Sequence, residues 1–361
     1  MKTALNSLGF EVESLSDALT KKRSVICLKN VIISPTKNFI KRILAFLGWE
    51  KYKLKVKGIG RDKAYNQNFE AFKKNHIGKI IYTTRKAALN HKIQDVLQNY
   101  DYVVVGSDMV WHNFDPELCK MIWNTDNITE MLEYYYLMFV PEEKRVNYAP
   151  SFGHKKAPEK FRELYKKGIN GFKKLSCREN YGCNLIQDVT GREAVHVIDP
   201  TLLISPDVYR SIAKKPAFEI PEHYALVYGF FDFAKDLDNL MSSNDQFKGL
   251  SLIKIGDPNL PAISPEEWLW LFEHTDAVFT NSFHGTVFSI IFHKKFFEYE
   301  RPEDGMKNKL YDILQTLGLE DRMYNNDARI PENDIDYKAV DEKLNNLREI
   351  SINYLRDCLN V

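Results

Sequence analysis

The densest chemistry in this sequence is the turn Thr280–Asn281–Ser282–Phe283–His284–Gly285–Thr286, which follows the apolar run Ala277–Val278–Phe279. If a strand ends there and a helix begins, the first N–H groups of that helix, together with the hydroxyls, bind phosphate or carboxylate. His284 beside them can add a charge or move a proton. The same residues have a plainer use, in which Asn281 or Ser282 caps the helix and His284 packs under it. Both uses stay open on the residues alone. Arg178, directly after the run Leu175–Ser176–Cys177, is the second lead. A guanidinium there either pairs with Glu179 or another acid, or grips a planar anion through two parallel bonds. Gly106–Ser107–Asp108 with Trp111, and Ser151, follow two more apolar runs. Asp108 and Trp111 have the chemistry to hold and stack a sugar, or to cap a turn and fill a core. Asp199–Pro200 reads as a tight turn at a strand end. No P-loop, HExxH, GxSxG or GxGxxG occurs.

These groups all sit where one element gives way to the next. Continuous apolar runs at 103–105, 146–149, 175–177, 195–198, 225–228, 250–253, 277–280 and 296–299 predict strands buried on both faces, hence parallel sheets covered by helices. Helical spacing predicts helices over 86–98, 158–167, 180–189, 265–274, 284–293, 307–317 and 338–359. The fold class is α/β. The polar, Pro-containing stretch 205–222 separates two series of strands, which places one domain over 1–210, a second over 211–335, and a terminal helix over 336–361 that packs back on the first. Residues 1–8 read as the end of a helix stopped by Gly9, with a strand over 10–14, so a first strand is expected to be missing upstream.

With 361 residues, 50 Lys+Arg against 49 Asp+Glu and 44% apolar residues, the chain has the make-up of a globular protein and lacks the basic excess of a nucleic-acid binder. Five scattered cysteines without CxxC spacing indicate neither a disulfide framework nor a zinc site. No signal pattern and no long apolar stretch is present, so a cytoplasmic protein is expected. Residues 37–63 are different in kind. They hold nine basic and two acidic residues, with an apolar side from Phe39 to Trp49. That is the pattern of a helix lying on an anionic membrane surface, or of a solvated insertion.

The strings VVVGSDMVW, NYAPSFG, LSCRE, VIDPTLL, SPEEWLWLFEHTDAVFTNSFHGTVFSIIFHKKFF and KLYDILQTLGLEDR occur in that order from about residue 100 to 325. Together they resemble the polysaccharide pyruvyl transferase family of capsule and exopolysaccharide clusters. The resemblance implies two Rossmann-like domains facing across a cleft, as in the glycosyltransferase B fold, and transfer of pyruvate from phosphoenolpyruvate onto a sugar as a ketal. It implies phosphoenolpyruvate as co-substrate, a sugar or lipid-linked oligosaccharide as acceptor, and no metal or other cofactor. On this likeness Arg178 and His284 are the catalytic pair, and Arg178, Asn281, Ser282, Gly285 and Thr286 hold the donor. Ser107, Asp108, Trp111 and Ser151 face the acceptor. Many relatives carry Arg where this chain has Ser282, and begin with a strand and an Asn-Tyr/Trp-Gly loop that this chain lacks. Those departures leave two rivals standing: a glycosyltransferase using a nucleotide sugar, and a non-catalytic glycan-binding member.

Overall fold

The structure is a computed structural model that describes residues 1–17, 63–112, 127–229, 237–300, 306–324 and 330–360. The basic segment and its expected helix therefore lie outside the described residues, apart from Lys63. The chain gathers into two compact units. The first comprises Met1–Val12, Tyr82–Ser205 and Glu300–Val361, and the second Glu13–Ile81 and Pro206–Tyr299. Compactness thus divides the chain elsewhere than at the expected 210/211 and 335/336, because residues distant in sequence pack together.

The early elements are helix α1 (Lys2–Ser7) and strands β1 (Ser14–Asp17) and β2 (Ile80–Thr83), which pair with each other. Gly9 takes φ 90° just past α1, as a helix stop requires. The strand expected over 10–14 is displaced, since only Ser14 belongs to β1.

The first unit then continues with α2 (Arg85–Leu89), α3 (Gln94–Leu97), β3 (Val103–Val105), α4 (Ile128–Tyr135), β4 (Arg145–Asn147), α5 (Arg162–Asn170), β5 (Ser176–Cys177), α6 (Asn180–Thr190) and β6 (Val195–His196). The single helix expected over 86–98 is broken in two around His91, whose φ of 54° no α-helix accepts. β3 pairs with β4 and β5 with β6, both in parallel. Between β4 and β5 the stitching is done by a side chain. Asn147 Nδ2 donates to the Lys174 carbonyl at 2.7 Å, and its Oδ1 accepts from Ser176 N at 2.9 Å.

The second unit carries α7 (Pro206–Ile212), β7 (Tyr224–Tyr228), α8 (Leu237–Ser243), β8 (Ser251–Lys254), α9 (Pro265–His274), β9 (Ala277–Thr280), α10 (Phe283–Ile291) and β10 (Lys295–Tyr299). Its strands run parallel in the spatial order β10-β9-β7-β8. The continuous apolar runs of β7 and β9 are buried along almost their whole length, as strands covered on both faces must be. α9 opens on a capping box, Ser264 and Glu267 each holding the other's backbone N–H.

The chain then returns to the first unit through α11 (Met306–Leu317), β11 (Met323–Tyr324) and the 23-residue α12 (Tyr337–Leu359). The helical spacing read over 338–359 becomes a buried stripe including Val340, Leu344, Tyr354, Leu355 and Leu359. α12 is also pinned by polar bonds. Tyr354 Oη donates to the Asn147 carbonyl at 3.0 Å, and Ser351 Oγ accepts from Ile198 N at 3.1 Å.

Asn147 is the bridge on which two strand pairs and α12 converge. Replacing it with Ala orphans the Lys174 carbonyl and the Ser176 N–H, each costing about 1–3 kcal/mol when buried. Asn147→Ala should therefore lose roughly 2–6 kcal/mol in urea unfolding. Asn147→Asp should lose a comparable amount, because a carboxylate cannot donate to the Lys174 carbonyl.

Candidate functional site

In the second unit the chain runs from β7 outward to β8, then crosses back over β7 to place β9 on its other side. The crossovers part between β7 and β9, and in open parallel sheets ligands bind beyond the carboxyl ends at that point. Tyr228 and Thr280, the last residues of β7 and β9, stand in register there, and Glu298 of β10 is in register with Thr280 on the other side. Thr280 Oγ1 accepts from Ser282 N at 3.0 Å, which turns the chain sharply from β9 into α10. Gly285 lets the helix settle on this turn, since a Cβ at that position would lie 2.1 Å from Thr280 Oγ1 and 3.2 Å from the Tyr228 ring.

The start of α10 is not closed by its own side chain: Ser282 occupies the N-cap position without a side-chain cap bond. Burial pushes the Tyr228 phenol above its ordinary pKa, and a side-chain hydrogen bond with Ser282 pulls the other way. Thr286 turns its hydroxyl into the fold, toward the Ser282 carbonyl and the buried carboxyl of Glu298. Asn281, Ser282, Gly285 and Thr286 are all buried, whereas His284 is half-buried with its ring edge-on to Phe283 at 5.5 Å. The turn thus places a histidine in partial contact with solvent at the positive end of a nine-residue helix. Of the two uses weighed for these residues, capping by Ser282 is absent. Thr286 serves the packing of α10 instead of facing outward.

The strand ends of the first unit are chemically different. Arg178 donates from Nη1 to Asp199 Oδ2 at 2.9 Å and from Nε to Glu179 Oε1 at 3.2 Å. Ser107 Oγ reaches the same Asp199 oxygen at 3.2 Å, and Ser151 Oγ the same Glu179 oxygen at 2.5 Å. Asp199 also accepts from Thr201 N and Oγ1, at 3.0 and 2.7 Å, which makes the tight turn expected at Asp199–Pro200. One chain of bonds, Ser107–Asp199–Arg178–Glu179–Ser151, therefore laces together the ends of β3, β6, β5 and β4. Burial by itself lowers the Arg178 pKa, but Glu179, Asp199 and Asp108 outweigh it and hold the guanidinium above its ordinary value.

Several expectations change here. Arg178 is 5% exposed and committed to two carboxylates, the pairing that had been set beside anion binding. Trp111 is fully buried, its ring 5.3–5.6 Å from Tyr136, Phe152 and Phe172 and its Nε1 donating to the Tyr135 carbonyl. It is a core residue, and a sugar cannot stack on it without opening that cluster. Ser151 is likewise buried. Of the four residues expected to face an acceptor, Asp108 is exposed, at φ 53°, and Ser107 is half-buried.

Four groups at these ends went unnoticed in the sequence. Burial brings His112 down to about 3, with His154 and Lys309 adding to the shift, and brings His154 down to about 4. Both imidazoles are thus neutral, 5.2 Å apart and edge to face. Lys309 and Asp312 of α11 are the other two, and burial first of all pushes Asp312 up to about 6. Lys309 and Asp312 are three residues apart, hence on one helix face, which was the available signal. For the histidines there was none, because only packing dries them.

Parallel sheets interleaved with helices define a mixed α/β protein. Residues 2–297 match the family described as polysaccharide pyruvyl transferase, and the chain belongs to that family. Membership makes it a transferase of polysaccharide biosynthesis, with a sugar or oligosaccharide acceptor. No curated protein matches. Among solved structures, the wall teichoic acid polymerase TagF from a CDPG soak is similar at 12% identity and TM-score 0.35, over 76% of this chain and 88% of that one. A second TagF structure is similar at 12% identity and TM-score 0.32, over 83% and 93%. Likeness at that level carries no argument. No helix among the described residues is long and apolar enough to cross a membrane.

Removing the Arg178 charge leaves two buried carboxylates facing each other, a change that costs about 3–5 kcal/mol. Arg178→Ala should therefore lower the urea midpoint sharply, and Arg178→Lys should restore only part of it, since one ammonium cannot span both acids as the fork does. Gly285→Ala should also destabilise, by about 1–3 kcal/mol as an overpacked site does.

Proposed function

We propose that this protein transfers the pyruvyl group of phosphoenolpyruvate onto a pair of sugar hydroxyls as a ketal, and that the donor sits at the start of α10. The observation that carries this reading is the helix start at the parting of β7 and β9, where N-cap Ser282 makes no side-chain cap bond and His284 is half-buried. Phosphoenolpyruvate is a small, highly charged anion, and backbone N–H groups at a helix N-terminus suit its phosphate or carboxylate. With Ser282 in place of an arginine, backbone and helix dipole carry more of that task here. Arg178 acts on this reading as the strut of the first unit's strand ends, not as a donor ligand. Ser107 and the exposed Asp108 are the groups left to meet acceptor hydroxyls.

The proton ledger gives His284 its role. A proton added to the methylene carbon makes C2 electrophilic, the first hydroxyl attacks C2, and its proton passes to the base. The C2–O bond to phosphate then breaks, the leaving oxygen keeping the electron pair. The second hydroxyl closes the ketal and gives up its proton, so that donor and diol become ketal and phosphate. One group that both gives and takes a proton serves these steps, and an imidazole with access to solvent is suited to it.

Phosphoenolpyruvate should raise the thermal midpoint of the protein, as a ligand of the native state does. His284→Ala should keep that shift while lowering phosphate release about a hundredfold to ten-thousandfold. A shift with a nucleotide sugar and none with phosphoenolpyruvate would replace this reading with a glycosyltransferase.

A further inference from the structure

Helix α6 begins with an exchange of partners. Its N-cap residue is Glu179, a carboxylate one residue from the helix's first N–H groups. Glu179 makes no cap bond, because its carboxylate holds Arg178 and Ser151 instead. The cap comes from 132 residues away. Asp312 on α11 accepts Asn180 N with both oxygens, at 3.1 and 3.2 Å, and takes the Tyr181 backbone N–H as well. One turn further along α11, Thr316 Oγ1 accepts from Asn180 Nδ2 at 3.3 Å. Two positions of one helix thus grip the first residue of another.

We infer that Asp312 is a positioning residue: by capping α6 from α11 it leaves Glu179 free to hold Arg178, and protonation of Asp312 returns Glu179 to the helix and loosens the Arg178 fork. The reasoning is a competition for one set of donors. The positive end of α6 attracts whichever carboxylate is nearest and ionised. While Asp312 is ionised it satisfies that end. When it is protonated, the nearest remaining carboxylate is Glu179, one residue from the donors.

The surroundings of Asp312 set the pH at which this happens. Burial raises its pKa, Glu179 at the end of β5 raises it further, and the Asn180 and Tyr181 N–H groups and Lys155 oppose them, leaving it at about 6. Cys183 on α6 also faces it, with a thiol pushed up by burial and by Asp312 itself to about 12 and so neutral throughout. Tyr181 likewise has a phenol raised far above any pH of interest, chiefly by burial. From β6, His196 Nε2 lies 4.0 Å from Asp312 Oδ2 and 3.1 Å from the Arg178 carbonyl, and burial lowers its pKa. Asp312 therefore titrates near pH 6, and His196 is the neighbouring group that the test must separate from it. The consequence for catalysis rests on the acceptor reading of these strand ends, whereas the geometry and its test do not.

The test is a pH titration of the full chain by 15N NMR, following the Arg178 Nε–H signal, assigned through Arg178→Lys, and the Asn180 amide. Both should shift together with a midpoint near pH 6, and Asp312→Asn, which is neutral at every pH as protonated Asp312 is, should hold both near their low-pH positions throughout. Retention of the step in Asp312→Asn would assign it to another group, His196 first, and overturn the inference. So would an Asn180 shift without any change at Arg178, which would make Asp312 a cap and nothing more. Should Arg178→Lys fail to fold, specific labelling of arginine and the Asn180 amide give the same answer. No phosphate release from phosphoenolpyruvate by the unmodified protein, with its NMR step intact, would count against the proposed reaction and leave Asp312's role standing.

Discussion

Arg178 between Glu179 and Asp199 is the interaction on which the first unit's strand ends depend. Two carboxylates that close together and almost fully buried would each carry a large desolvation cost, and only a cation with two separated donor edges can serve both. Because Glu179 then takes Ser151 and Asp199 takes Ser107 and Thr201, four strand ends are fixed by one guanidinium. Neighbouring features follow from it. Ser151 is buried because it completes Glu179, and α6 needs a cap from elsewhere because Glu179 is engaged.

The two units therefore present their strand ends in contrasting ways. In the first unit polar groups satisfy one another and carry a net excess of negative charge, which favours hydroxyl donors over anions. In the second unit the turn after β9 is buried from beneath by Thr280, Gly285, Thr286 and Glu298, while Ser282 at the N-cap makes no side-chain cap bond. A parallel sheet makes this contrast available, since every strand delivers its carboxyl end, and whatever follows it, to the same edge.

Much of the fold was legible in local sequence because the signals there are local. Apolar runs of four or five residues mark β7, β9 and β10 to within a residue, and the spacing of apolar residues in α12 marks both its length and its buried stripe. The polar turn before His284 was legible for the same reason: strand, turn and helix start are consecutive. Where local signals conflicted, prediction slipped. The segment 86–98 has helical spacing throughout, yet the chain breaks at His91, and the apolar residues after Gly9 form their strand later than the pattern implied.

What the sequence determined by itself is the order of elements, the polar character of each strand end and, through several motifs in fixed order, the family. Which of those polar residues face solvent was decided only by the tertiary structure. Arg178 had two uses until Asp199, 21 residues on, was seen to share it. Trp111 had two uses until Tyr136, Phe152 and Phe172 closed around it. Asp312 had no visible use at all, since its partner lies 132 residues away and its raised pKa comes from burial. Residue type and spacing state what a side chain is able to do, but desolvation and partners far along the chain select among those abilities, and both exist only once the chain has folded.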